Sequence, residues 1–194
     1  MLPAKTHAEA IAAFLSKRSA DVTRLRLATE DDASFLLDLR LDPSRNQNIS
    51  PTSTALADQI AWMRAYASRH ERGSEAYFII EVAGQSQGSL RLYDYLPERD
   101  SFCWGSWIIR PGAPAQIAYE SVILAYDLAF GALGFGHAHF EVRQANVSVW
   151  KLFHEKMGAK LVREDSKDRF YEYSVEDYRQ ARPRLEKFTQ QREF

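Results

Sequence analysis

The chain has 194 residues, which at about 100–200 residues per domain allows one compact domain with short extensions and leaves no room for two full ones. Hydrophobic residues make up 45% and charged residues 26%, which excludes the apolar-poor composition of a disordered chain and supplies material for a sizeable core. Lys and Arg number 25 against 26 Asp and Glu, a formal net charge of −1, so no strong field draws in nucleic acid or an anionic membrane, and neither partner is expected.

Residues 8–18 place Ile11, Phe14, Leu15 and Arg18 at helical spacing, a short amphipathic helix ahead of the main domain. From Val22 to Leu27 apolar and polar residues alternate as in a half-buried strand. Thr29-Glu-Asp-Asp32 then offers a capping-box pattern for a helix reaching about Arg40. The stretch from Asp42 to Ser53 is dense in turn formers and reads as a long polar loop, of the kind that often carries function. A second helix follows, with Leu56, Ile60, Met63 and Ala67 on one face. Three strands come next, Ala76–Val82, Ser89–Tyr93 and Phe102–Ile109, separated by Gly84 to Gly88 and by Pro97 to Asp100. After Arg110-Pro-Gly-Ala-Pro-Ala-Gln116 comes a long helix whose apolar stripe, Ala118, Val122, Ala125 and Ala129 widened by Ile117, Leu124 and Leu128, implies deep burial. Phe140–Val142 reads as a strand, Val149–Met157 as a helix, Lys160–Val162 with Phe170–Tyr173 as a closing hairpin, and the tail from Glu176 as helix around Pro183. This order demands a mixed sheet with helices on both faces. Residues 1–20 form a helical extension, 21–174 the domain and 175–194 a helical tail; the two extensions offer a homodimer contact.

The single cysteine, Cys103, excludes an intrachain disulfide and a Cys-based zinc site. It lies within a strand and reads as a packed thiol. No apolar stretch approaches the roughly 20 residues of a membrane span, and Met1 to His7 lacks an export signal, so a cytoplasmic protein is expected. His137 and His139 alternate onto one strand face without a third ligand, and no metal is expected. Trp62, Trp104, Trp107 and Trp150 read as core aromatics.

Two places carry the potential for chemistry. The first is the entry to the long helix. A helix N-terminus leaves backbone N–H groups unpaired and carries about half a positive charge, so it holds anions unless a side chain caps it. No Ser, Thr, Asp or Asn stands between Gly112 and Gln116, and the first acidic residue inside the helix is Glu120. The usable donors are Gly112, Ala113, Ala115, Gln116, Ile117 and Ala118. A Pro/Gly turn with a hydrated helix end accounts for the same residues. The second place is Phe140 to Ala159, a strand, then Asn146 in a short loop, then a helix ended by Gly158; an Asn N-cap and a Gly C-cap account for this too.

Taken together and in this order, Arg110 to Ala118 and Asn146 to Gly158 resemble the GNAT acetyltransferase superfamily, over about Val22 to Tyr173. Trp107-Ile-Ile with Tyr119-Glu-Ser-Val and Ala129-Phe130 is similar to the branch holding protein N-terminal and amino-sugar acetyltransferases. The resemblance implies an α/β (α+β) fold with a mixed sheet of about seven strands, splayed between its fourth and fifth strands to admit acetyl-CoA. It assigns the carrier to Trp107, Ile108, Ile109 and Arg110, to Gly112, Ala113, Ala115, Gln116, Ile117 and Ala118, and to Asn146 and Phe153. The loop departs from the family pattern Gln/Arg-x-x-Gly-x-Gly/Ala in either register, and the Asn146 to Gly158 spacing is one residue long, which implies a loop adjustment or a bulge in the helix.

By the same resemblance a small-molecule amine attacks the thioester, and His154, four residues before Gly158, stands where relatives carry a proton donor to CoA sulfur; imidazole titrates near neutrality and suits that task. No glutamate lies between Ser101 and Ile109, which leaves Asp94, Glu141 or water as base. A lysine amine with a pKa of about 10.4 is uncharged in about one molecule per few thousand at neutral pH, whereas an α-amine near 8 needs only about 1 kcal/mol of help, so a weakly basic amine is favoured. Arg45, Asn48, Arg91 and Tyr93 flank the acceptor mouth, where Arg45 and Arg91 can hold a phosphate or carboxylate. Ser89-Leu-Arg-Leu-Tyr-Asp and Phe102-Cys-Trp-Gly-Ser-Trp are similar to acetyltransferases acting on nucleotide-linked amino sugars. Protein N-termini as acceptors, and a non-catalytic interaction module, are the alternatives.

Overall fold

A computed structural model describes residues 4–16 and 23–189. Lys17, Arg18 and Val22, placed above in the first helix and first strand, lie outside the described residues, as do Met1 to Pro3. In chain order the elements are α1 (Ala4–Ser16), β1 (Thr23–Leu27), α2 (Ala33–Leu41), α3 (Leu56–Glu71), β2 (Ala76–Val82), β3 (Gln85–Leu96), β4 (Ser101–Ile109), α4 (Gln116–Tyr126), β5 (His137–Arg143), α5 (Val147–Lys151), β6 (Lys160–Glu164), β7 (Asp168–Ser174) and α6 (Val175–Thr189). The seven strands form one sheet in the order β1-β2-β3-β4-β5-β7-β6, antiparallel except where β4 meets β5.

Local chemistry explains most of this order. The Thr29 N–H donates to Asp32 Oδ2 at 2.8 Å, the reciprocal half of the capping box at the entrance to α2. β2 is buried along nearly its whole length, as its unbroken apolar run requires. Ala83 and Gly84, with φ of +50° and +76°, make the two-residue turn into β3. Residues 84–88, expected as a connector, instead belong largely to the strand, with Gln85, Ser86 and Gly88 paired to Val82, Glu81 and Ile80. Gly88 is no turn former but a point of close approach, since a Cβ there would come within 2.4 Å of the Ile108 carbonyl oxygen.

The face of α3 also differs from its apolar spacing. Leu56 and Ala67 are exposed, and Gln59, Met63 and Tyr66 are the buried positions. The helix is turned so that Trp62 and Tyr66 pack their rings on Tyr77 of β2, at centroid distances of 5.7 and 6.0 Å.

α4 crosses from β4 to β5 and is as deeply buried as its wide stripe implied, running on through a π-helical segment, Asp127–Ala132. α6 continues through Pro183 and is tied to α4 by the Tyr178 hydroxyl, which donates to the Ile123 carbonyl at 3.2 Å and to Asp127 at 2.7 Å. On α1, Ile11 is buried and the ring of His7 lies 3.0 Å from the Gly73 carbonyl, so this helix too packs on the body of the domain.

Candidate functional site

β4 and β5 pair at only two positions, Ser101 with His137 and Phe102 with Ala138. Beyond them the strands part, because β4 stays in register with β3 while β5 is carried off by its seven-residue pairing with β7. The gap is a cleft of about 580 Å³, bounded by Trp104 to Trp107 on β4 and by Phe140 to Arg143 on β5. One wall is aromatic. Phe153 sits 4.8 Å from Phe140, 5.5 Å from Trp104 and 6.3 Å from Trp107, centroid to centroid, and the Trp107 indole donates to Ser121 Oγ of α4 at 3.0 Å. Arg91, Tyr93 and Glu141 are among the polar side chains of the lining.

On β4 the edge of the cleft is bulged. Arg91 pairs with Gly105 but Ser89 with Ile108, so β4 carries one extra residue, and Ser106 adopts φ +47°. Such a bulge turns backbone groups out of the ladder. Buried Ser89 fixes it by donating its hydroxyl to the Ser106 carbonyl at 2.9 Å. Gly105 has no side chain for a steric reason: a Cβ there would meet the Tyr93 hydroxyl at 2.9 Å. Burial pushes the Tyr93 phenol far above its ordinary pKa, so it stays a neutral donor.

Of the residues assigned to a carrier, Trp107, Asn146 and Phe153 line the cleft. Ile108 is buried on the far side of β4, Ile109 ends the strand, and the Arg110 N–H is spent on the Gln87 carbonyl at 2.7 Å. The α4 entrance has no side-chain cap, and Gly112 turns the loop with φ +80°. Three of the six donors counted from sequence already serve turns: Ala113 bonds to the Arg110 carbonyl, Ile117 to Pro114 and Ala118 to Ala115, at 3.1–3.2 Å. Among the described residues the N–H groups of Gly112, Ala115 and Gln116 have no carbonyl partner. Asn146 makes no side-chain cap on α5.

The extra residue between Asn146 and Gly158 is absorbed by a π-helical turn, Leu152–Lys156. That turn directs Phe153 inward and leaves His154 exposed, its Nδ1 3.1 Å from the Ala159 carbonyl; His154 does not line the cleft. Asp94 sits in a second bulge, on β3, with φ +51° and a side chain 58% exposed. Its Oδ2 lies 3.0 Å from His139 Nε2, and His139 Nδ1 lies 2.7 Å from Ser101 Oγ. This chain ties β3, β5 and β4 together where the β4–β5 ladder ends, and none of its three members lines the cleft.

Glu141 does. Of the two carboxylates lining the cleft, Asp168 is held by Arg143 at 2.9 Å, while Glu141 makes no ion pair or hydrogen bond among the described residues. Asn48, Arg91 and Tyr93 line the cleft, and Arg45 does not. Ser50, from the Arg45-to-Ser53 loop expected to recognise the acceptor, lines it too, and Arg40, Ser106 and Lys167 line it without having been singled out from the sequence. Four basic side chains, Arg40, Arg91, Arg143 and Lys167, face two acidic ones, so the cleft is cationic in a chain whose net charge is −1. Cys103 is buried and its pKa is pushed up to about 12, chiefly by burial, which keeps it a thiol. No helix among the described residues is long and apolar enough to cross a membrane.

Comparison with known proteins gives a consistent picture. The family model described as an acetyltransferase (GNAT) domain matches residues 23–160. Among solved structures, apo FdhC, described as a nucleotide-linked sugar GNAT, is 37% identical with a TM-score of 0.78, covering 88% of this chain and 97% of its own. RimJ from Mycobacterium smegmatis, solved in complex with CoA-disulfide, is 17% identical with a TM-score of 0.69, covering 86% and 88%. The spermidine/spermine N-acetyltransferase SpeG from Vibrio cholerae is 17% identical with a TM-score of 0.67, covering 81% and 96%. Among curated proteins nothing matches.

Proposed function

The chain belongs to the GNAT acetyltransferase family and is an N-acetyltransferase, and from that premise we propose that it moves the acetyl group of acetyl-CoA onto the amine of a nucleotide-linked amino sugar. The observation that carries this reading is the parting of β4 from β5 after Phe102 and Ala138, which opens a cationic cleft beside a bulged strand. The acceptor class is supported by FdhC, at 37% identity over nearly its whole length.

The residues present fit acetyl-CoA. The bare N–H groups of Gly112, Ala115 and Gln116 sit at an uncapped helix N-terminus, the arrangement that suits a pyrophosphate. Acetyl-CoA supplies an activated thioester. Transfer breaks the C–S bond and needs a proton returned to the departing thiolate, which water entering the open cleft supplies, and two jobs are left to the protein: to stabilise charge on the carbonyl oxygen and to receive the proton of the amine. The first falls to backbone N–H groups at the Ser106–Trp107 bulge, which a fixed fold presents without reorganisation. The second falls to Glu141, the cleft carboxylate with no cation already engaging it. Tyr93, held as a neutral phenol against Gly105, donates a hydrogen bond within the cleft without losing its proton.

Steady-state kinetics with acetyl-CoA and three acceptors tests the reading: a nucleotide-linked amino sugar, a peptide with a free α-amine, and spermidine. The sugar nucleotide is expected to exceed the others in kcat/KM by a hundredfold or more. A peptide that matches or beats it replaces the proposed acceptor with a protein N-terminus.

A further inference from the structure

A second, smaller cavity of about 190 Å³ adjoins the cleft, and Arg40, Arg91 and Ser106 line both. Its walls carry two guanidiniums and no carboxylate. Arg91 is held in place by two rings, 4.1 Å from the Tyr93 centroid and 5.4 Å from that of Trp62. Its Nε faces Glu75 Oε1 at 3.3 Å without a hydrogen bond. Glu75 is also bound by Arg69 at 2.6 Å, so one carboxylate answers two guanidiniums. The terminal nitrogens of Arg91 make no hydrogen bond among the described residues, and Arg40 makes one, from Nη2 to the Ser50 carbonyl at 3.0 Å. Two oriented, incompletely engaged guanidiniums on one rim are suited to a diphosphate.

Gln59 supplies the second observation. It lines the small cavity, is only 7% exposed, and its amide makes no hydrogen bond among the described residues. Its amide atoms are not sealed from solvent, so both its N–H donor and its carbonyl acceptor are open to a ligand in the cavity that offers one acceptor and one donor. The edge of a nucleobase offers that pair.

Resting on the acceptor class proposed above, we infer that the nucleoside diphosphate part of the acceptor binds here. Its diphosphate lies on Arg40 and Arg91 at the rim, and its base enters the small cavity against Gln59. The amino sugar then extends past Ser106 into the main cleft, where Glu141 and the bulge of β4 meet it.

Calorimetry on the full chain with saturating CoA, which occupies any site for the carrier's own nucleotide, tests this with UDP, TDP and inorganic pyrophosphate as probes. UDP or TDP is expected to bind at one site at least tenfold more tightly than pyrophosphate. Arg91→Gln should weaken nucleotide and pyrophosphate alike by tenfold or more. Gln59→Leu should weaken only the nucleotide, by about tenfold, with CoA binding and thermal midpoint confirming that each variant is folded. If neither nucleotide binds beside CoA, or if Gln59→Leu alters both probes equally, the site is overturned. Turnover of a nucleotide-linked amino sugar despite that result would leave the proposed function standing. Failure of the wild-type chain to bind CoA would bring down both.

Discussion

The two places proposed to hold anions differ in the donors they offer. At the α4 entrance the donors are main-chain N–H groups of Gly112, Ala115 and Gln116, with no charged side chain among them. At the rim of the small cavity the donors are side chains, Arg40 from α2, held on the Ser50 carbonyl, and Arg91 from β3, oriented by Trp62 and Tyr93. A backbone site cannot be deleted by truncating a side chain, only obstructed or repelled. A guanidinium site can be removed one residue at a time, so it is the end where specificity for one acceptor over another is most readily adjusted. The same difference separates what each end should do kinetically, donor binding at one and acceptor binding at the other, with the chemistry between them.

The sharpest test of that division is a variant at neither end. Glu141→Gln keeps the size of the side chain and removes the proton acceptor, so kcat should fall by about a hundredfold while the KM for both substrates stays within about threefold. A comparable rise in either KM would show that Glu141 belongs to one of the ends. Next in size is Ala115→Asp, which sets a negative charge among the three bare N–H groups. Repulsion of a pyrophosphate at a partly buried helix terminus is worth about 1–2 kcal/mol, so the Kd of acetyl-CoA should rise about tenfold or more with acceptor binding unchanged. If acceptor binding falls instead, the assignment of the two ends is reversed.

The contrast also explains what could be read from sequence. The backbone end was visible because it is defined by an absence over consecutive residues, no capping side chain from Gly112 to Gln116. The π-turn at Leu152–Lys156 was visible as one residue too many between Asn146 and Gly158. Of the guanidinium end the sequence shows Arg91 alone, because Arg40, Gln59 and Arg91 lie on three elements that only the tertiary fold brings to one rim. Gln59 was hidden further by its neighbours. An apolar stripe through Leu56 and Ala67 predicts one face for α3, whereas the aromatic contacts of Trp62 and Tyr66 with Tyr77 select another, and that rotation buries a glutamine. The spacing of His139 shows only a strand-face imidazole without metal partners, and its contacts with Asp94 and Ser101 arise from strands that only the folded sheet brings together.

That His139 chain permits a smaller test. Ser101 is 3% exposed, and its contact with His139 helps close the sheet just below the point where β4 and β5 separate. Ser101→Ala should cost about 1 kcal/mol and lower the thermal midpoint by about 2–4 °C without altering kcat. A drop in kcat at an unchanged midpoint would turn the chain from a fastener into a proton path and would move the chemistry away from Glu141.

The smallest expected effect is at His154. A proton donor must reach the departing sulfur, and the π-turn rotates this ring outward, with Nδ1 on the Ala159 carbonyl and Phe153 taking the inward position beside Trp104 and Trp107. His154→Phe should therefore leave kcat and its pH profile within twofold of the wild type, while Phe153→Ala, which strips the aromatic wall, should raise the KM for acetyl-CoA. The pair separates two accounts of this helix. If it serves as a wall, the phenylalanine matters and the histidine does not; if it delivers a proton, the loss appears at His154, as a fall in kcat with the KM for acetyl-CoA unchanged.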